Sequence, residues 1–278
     1  MSRNRHLFHL VSLSPWPFFL GFAMFFFTSG LVFFMHRIFL GSFIFFIGFF
    51  CIVYIARNWF YDVEDEASLL GFHTLVVKKG LYKGFWLFVA SEVMLFFGFF
   101  WAFFHSALSP SVVFSALWPY ENAFVIINSL GFPLYNTILL IISGFTVTYA
   151  HYAAASMRHS EVLDGLYLTI FLGILFLISQ INEYFEIAYN INDSVFACVF
   201  FMLTGLHGMH VFVGVFLLYV CLERFCFQDF SSKHYVGFVC AIWYWHFVDI
   251  VWIFLYLIIY VWGNWAIDIF DSDLNFLQ

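Results

Sequence analysis

The sequence predicts an all-α integral membrane protein with seven transmembrane helices. Two features of composition and one of pattern carry this reading. Of 278 residues, 64% are hydrophobic and only 10% are charged, and the apolar residues gather into runs long enough to cross a bilayer. A soluble core has no need of so much apolar surface.

Apolar windows of about 19 residues place the spans at 16–35, 38–56, 82–107, 134–155, 165–186, 195–222 and 235–262. The first opens after Ser14-Pro15-Trp16-Pro17, where proline is tolerated at a helix start and tryptophan suits the interface. Trp59, Trp118, Tyr135 and Trp262 mark other span ends. The basic residues test the count. Arg3, Arg5, Arg57, Lys78, Lys79, Lys83, Arg158, Arg224 and Lys233, nine of the ten, fall on one side. Only Arg37 falls on the other. One span more or fewer would scramble that division, so the count of seven stands, with the N-terminus on the cytoplasmic or matrix side.

Residues 1–263 are expected to form one seven-helix domain, and 264–278 a short acidic extension carrying Asp268, Asp271 and Asp273. Neither a secretory signal nor a transit peptide is visible. Nucleotide-binding loops, basic nucleic-acid stripes and internal repeats are missing as well, which lowers the case for a transporter built on duplicated halves. Cys51, Cys198, Cys221, Cys226 and Cys240 show no Cys-x-x-Cys spacing and are expected to be small buried thiols.

The informative residues are polar ones inside these runs, where an ionisable side chain costs about 2.5–3.5 kcal/mol on insertion scales. Glu92 lies midway along the third span, ahead of the aromatic stretch Phe96–Phe104. It reads either as a proton-relay carboxyl or as an acid bonded to a neighbouring helix. His207 and His210, at i and i+3 on the sixth span, could ligate a metal or haem, or could bond across helices. Gly205, Gly208 and Gly214 on the same span permit close helix contact. His246 and Asp249 repeat the spacing inside Trp243-Tyr244-Trp245-His246-Phe247-Val248-Asp249-Ile250-Val251-Trp252. They read as a polar seam lined by tryptophan, since nothing else in the chain completes a coordination shell. His151, Glu183 and Glu186 lie nearer span ends, where snorkelling or capping is the simpler expectation. The segment from Trp59 to Glu66, continuing to Gly71-Phe72-His73-Thr74, reads as a loop dense in aromatics and carboxylates. With the nearby lysines it could hold a lipid head group, or it could be a solvated acidic loop.

Seven motifs occur in order: Ser14-Pro15-Trp16-Pro17, Thr28-Ser29-Gly30, Ser91-Glu92-Val93, Gly98-Phe99-Phe100-Trp101-Ala102-Phe103, Glu183-Tyr184-Phe185-Glu186, Thr204-Gly205-Leu206-His207-Gly208-Met209-His210 and Trp243–Asp249. Over residues 9–263 the chain resembles cytochrome c oxidase subunit III. That resemblance implies a core subunit of respiratory complex IV in the mitochondrial inner membrane, with helices 1–2 standing apart from helices 3–7 across a V-shaped, phospholipid-filled cleft. The complex transfers electrons from cytochrome c to oxygen and pumps protons. This subunit is implied to carry no catalytic centre and no metal, with haem a and copper in neighbouring subunits. Its partners are chiefly subunit I, whose proton uptake it supports, then the other complex IV subunits and membrane phospholipids, but not nucleic acid. Trp59, Glu66, His73 and Arg224 match family positions that bind lipid head groups, and Glu92 matches the membrane-embedded, carbodiimide-reactive carboxyl. His207, His210, His246 and Asp249 are expected to be packing residues. The excess of phenylalanine, 45 residues, fits a T-rich organelle genome.

The chain departs from its relatives at Asp65 and Tyr61, where basic residues are common, and at Phe227 and Asp229. Fewer cations point to a zwitterionic lipid, or to compensation by Lys78, Lys79 or Lys83. Two readings of other classes remain distinct. A haem- or metal-binding enzyme using His151, His207, His210 and His246 would absorb visible light as an isolated chain. A transporter centred on Glu92 would conduct protons alone.

Overall fold

The computed structural model describes residues 7–110, 118, 128–227 and 235–263. Arg3, Arg5, Asp229, Lys233 and the acidic extension lie outside them. The helices are α1 (Trp16–Met35), α2 (Gly41–Ser68), α3 (Leu75–Leu108), α4 (Phe132–Ala155), α5 (His159–Glu186), α6 (Val195–Cys226) and α7 (Val236–Leu255). The last turns of α7 continue as a π-helix, Tyr256–Trp262. Seven helices among the described residues are long and apolar enough to cross a membrane, as the hydropathy windows predict.

The chain divides into two compact units, residues 1–81 and 82–278. In the first, α1 and α2 form a hairpin whose backbones meet at glycine. A Cβ on Gly30 would fall against the backbone of Phe45, and one on Gly48 against the backbone of Phe27. Small residues at such points let two helices approach without the hydrophobic driving force that water would supply. Arg37, at φ 57°, turns the chain between them. Ser29 and Thr28 bond back to carbonyls one turn earlier, which satisfies their hydroxyls without a partner helix.

α2 runs three turns further than the apolar window. The charges from Arg57 onward end the hydrophobic run but not the helix, because Glu64, Glu66 and Ala67 are good helix formers. Trp59–Glu66, read from sequence as loop, is therefore helical. The true connection is short: Leu70 N donates to Asp65 O, Gly71 takes φ +66°, and Phe72 N donates to Glu66 O at 2.9 Å.

In the second unit α4–α7 close a four-helix ring, with α4 against α5 and α7, and α6 against α5 and α7. Each of these interfaces carries a side-chain hydrogen bond. Thr146 meets Thr169 at 2.7 Å (α4–α5), and Tyr184 meets Thr204 at 2.6 Å (α5–α6). His207 Nε2 lies 3.2 Å from Val248 O (α6–α7), and Trp252 Nε1 donates to Thr137 Oγ1 at 2.9 Å (α7–α4). α3 leans on α6 and α7 through rings: Phe103 on Phe196 of α6, and Phe96 on Phe247 of α7.

Trp245 of α7 is fully buried at the ring's centre. Its Nε1 donates to Ser143 Oγ of α4 at 3.0 Å. Its six-membered ring edge lies over two glycines: a Cβ on Gly173 of α5 would meet it at 2.6 Å, and one on Gly214 of α6 at 2.9 Å. Gly173→Ala and Gly214→Ala should each destabilise the unit by about 1–3 kcal/mol through overpacking. Gly98→Ala, which meets nothing within 4 Å, should not. Unfolding of the purified protein in mixed SDS–detergent micelles compares the three.

Candidate functional site

Glu92 does not stand alone at membrane depth. Its Oε2 lies 2.8 Å from His210 Nε2, joining α3 to α6. His210 Nδ1 lies 2.7 Å from Leu206 O. A carbonyl only accepts, so Nδ1 carries a proton, and the contact to Glu92 needs exactly one more. Either the carboxyl O–H donates to Nε2, or an imidazolium donates to a carboxylate. In both states the pair is neutral overall and holds one shared proton. Phe96, Phe247 and Tyr244 surround the imidazole, with ring centroids 5.0, 6.1 and 6.3 Å away.

The i, i+3 histidines of α6 are not brought to a common ligand. His207, fully buried, points to α7 through Val248 O and lies under Trp252, at 5.0 Å between centroids. His210 points to α3. On α7, His246 Nε2 lies 3.3 Å from Thr148 Oγ1 of α4, and its Nδ1 lies 3.7 Å from Asp249 Oδ2. Asp249 fits because residue 144 is glycine, where a Cβ would lie 2.9 Å from Oδ2. None of these four residues belongs to a cluster of three or more possible metal ligands among the described residues.

Such a cluster does occur elsewhere. Glu66, at the end of α2, and His73, beyond the Gly71 turn, come together with His9 of the N-terminal segment. His9 Nε2 lies 3.9 Å from Glu66 Oε2, and its ring lies 5.1 Å from Phe72 and 6.1 Å from His73. Two further bonds fasten this segment: Thr74 Oγ1 donates to Leu7 O, and Trp16 Nε1 donates to Asp62 Oδ2, both at 2.5 Å. His9 carried no signal in sequence, since it reaches its partners only through folding. Trp59 lies on α2, seven residues before Glu66 and so on the same face. Arg224 lies in the second unit, in the last turn of α6, where its cation suits the helix dipole.

Two expectations fail. Glu183 does not snorkel: it is buried and accepts a 2.6 Å bond from Tyr260 OH of the π-helix. Nearness to a span end does not fix which way a side chain points, and this one points inward. Beside it, a cavity of about 680 Å³ is lined by Gly131, Tyr135, Glu183, Glu186 and Tyr189. Burial raises the pKa of the Tyr189 phenol. Of the five thiols only Cys221 is buried, and Cys51, Cys198 and Cys226 are exposed on helix surfaces. In a membrane span an apolar thiol needs no protein cover.

A family model described as cytochrome c oxidase subunit III matches residues 6–264. The chain belongs to the cytochrome c oxidase subunit III family. Relatives named cytochrome c oxidase subunit 3 include that of Pisaster ochraceus, 45% identical over 94% of this chain and 99% of its own length. That of Drosophila melanogaster is 43% identical over 95% of this chain and 99% of its own, and that of Chondrus crispus 42% over 95% and 96%. The Glu92–His210 pair lies within the family match.

His210→Ala strands the Glu92 carboxyl and should destabilise the protein by about 1–3 kcal/mol. Glu92→Gln keeps a donor for Nε2 and should cost less. Thermal unfolding of the two variants in detergent ranks them, and an equal loss would refute the one-proton arrangement.

Proposed function

We propose that this chain is a non-redox core subunit of cytochrome c oxidase in the mitochondrial inner membrane. It packs chiefly on subunit I, binds phospholipid and supports proton uptake. The observation that carries this is the match of residues 6–264 to the subunit III family. Haem a and copper belong to neighbouring subunits on this reading. The spans support it physically: Phe18, Phe25, Phe43 and Phe50 are well exposed on α1 and α2. Apolar surface of that extent needs lipid or another subunit against it.

For lipid, Glu66 and His73 offer an acceptor and a donor on the side of the membrane that carries most of the basic residues, with Trp59 for the interface. Exposed Tyr61 supplies no charge, which favours a zwitterionic head group. For proton uptake, Glu92 and His210 share one proton that can shift between them with no change in net charge, so a proton can be held inside the bilayer without an isolated ion.

His73→Ala should reduce the phospholipid that co-purifies with the assembled complex, as counted by mass spectrometry; unchanged lipid would remove His73 from the site. Glu92→Gln should leave assembly intact and alter proton uptake or lifetime under turnover only modestly. Complete loss of oxygen reduction in an assembled complex would contradict this. Stoichiometric haem or copper on the isolated chain would overturn the non-redox assignment itself.

A further inference from the structure

We infer that His9, Glu66 and His73 form a binding site for a divalent cation of the zinc class. The three side chains come from separate parts of the chain: the N-terminal segment, the last turns of α2 and the connection to α3. One ligand atom from each lies within 4.8 Å of the others. Two imidazoles and a carboxylate are the donor set that zinc accepts with a fourth position left open.

The spacing suits an ion better than a direct bond. At 3.9 Å the His9 Nε2 to Glu66 Oε2 separation is too long for a hydrogen bond. A tetrahedral ion with bonds of about 2.0–2.1 Å holds its ligand atoms about 3.4 Å apart. Closing His9 and Glu66 on an ion therefore needs their ligand atoms to approach by about half an ångström. The scaffold is already in place: Gly71 returns His73 over Glu66, Phe72 packs on the His9 ring, and Thr74 and Asp62 hold the segment on either side of His9. The His9 and Glu66 side chains are 11% and 15% exposed, which shelters a bound ion while leaving it a route from solvent. The open position would carry water.

A bound cation would clamp the N-terminal segment to α2 and neutralise one of the carboxylates crowded at residues 62–66. The inference does not rest on the lipid reading, because head-group binding by Glu66 and His73 has no need of His9.

The test uses the assembled oxidase, stripped with chelator, equilibrated with zinc and desalted, with zinc counted by mass spectrometry against haem iron. The wild type should retain one more zinc per complex than His9→Ala, Glu66→Gln or His73→Ala. Equal zinc in wild type and variants would overturn the site. His9 lies outside every helix, so His9→Ala is the variant that keeps the fold, and its haem content checks assembly. A second readout follows the clamp itself. At zinc one hundred times its Kd, protease cutting between residues 10 and 14 should slow by up to about 100-fold in the wild type. His9→Ala should show no slowing. Equal zinc protection in both would likewise overturn the proposal.

Discussion

The second unit depends on one indole being seated in one orientation. Trp245 fills the space left by Gly173 and Gly214, and its N–H has a single acceptor in Ser143. An indole N–H buried without an acceptor costs about 1–3 kcal/mol, so the ring cannot turn freely in its slot. That fixes the rotation of α7 about its own axis. Residues one and two turns on are then aimed as a set: Val248 O at His207, and Trp252 at Thr137. Steric fit and hydrogen bonding select the same arrangement, which is how a bundle in lipid gains a unique structure without water to drive it.

Polar side chains in the spans follow a common rule. Most are answered from another helix or from their own preceding turn, as Thr169 and Thr204 are when they bond back to Gly165 O and Phe200 O while also reaching across; Ser179 Oγ in α5 is an exception. Residues that looked like a catalytic constellation are distributed among different interfaces. A coordination shell would need them to converge, and packing needs them dispersed. Glu92 and His210 differ in kind, since their bond requires a proton that either partner can carry.

Seven spans were legible because apolar length and basic asymmetry are one-dimensional signals. The ordered motifs around Glu92, His207 and Trp245 were legible as a family pattern, though not as geometry. What escaped were facts of rotation and closure. Whether Glu183 faces inward depends on the phase of α5 and on the π-helix that presents Tyr260. The extension of α2 escaped because hydropathy reports the membrane's edge rather than the helix's end. His9 escaped because its neighbours lie more than fifty residues away, across the α1–α2 hairpin.

The π-helix at Tyr256–Trp262 shifts the angular phase of α7. One residue inserted into an α-helix rotates everything beyond it by about 100°, and the wider turn absorbs a comparable shift. Tyr260 reaches Glu183, and Trp262 reaches Phe103 and Phe104, from this rephased segment. The inner part of α7 is thus oriented by Trp245, while its outer end addresses α3 and α5 on a separate setting. One continuous helix could not serve both demands with this spacing of aromatics. The fold therefore tolerates changes of side-chain size in this stretch more readily than a change in its residue count.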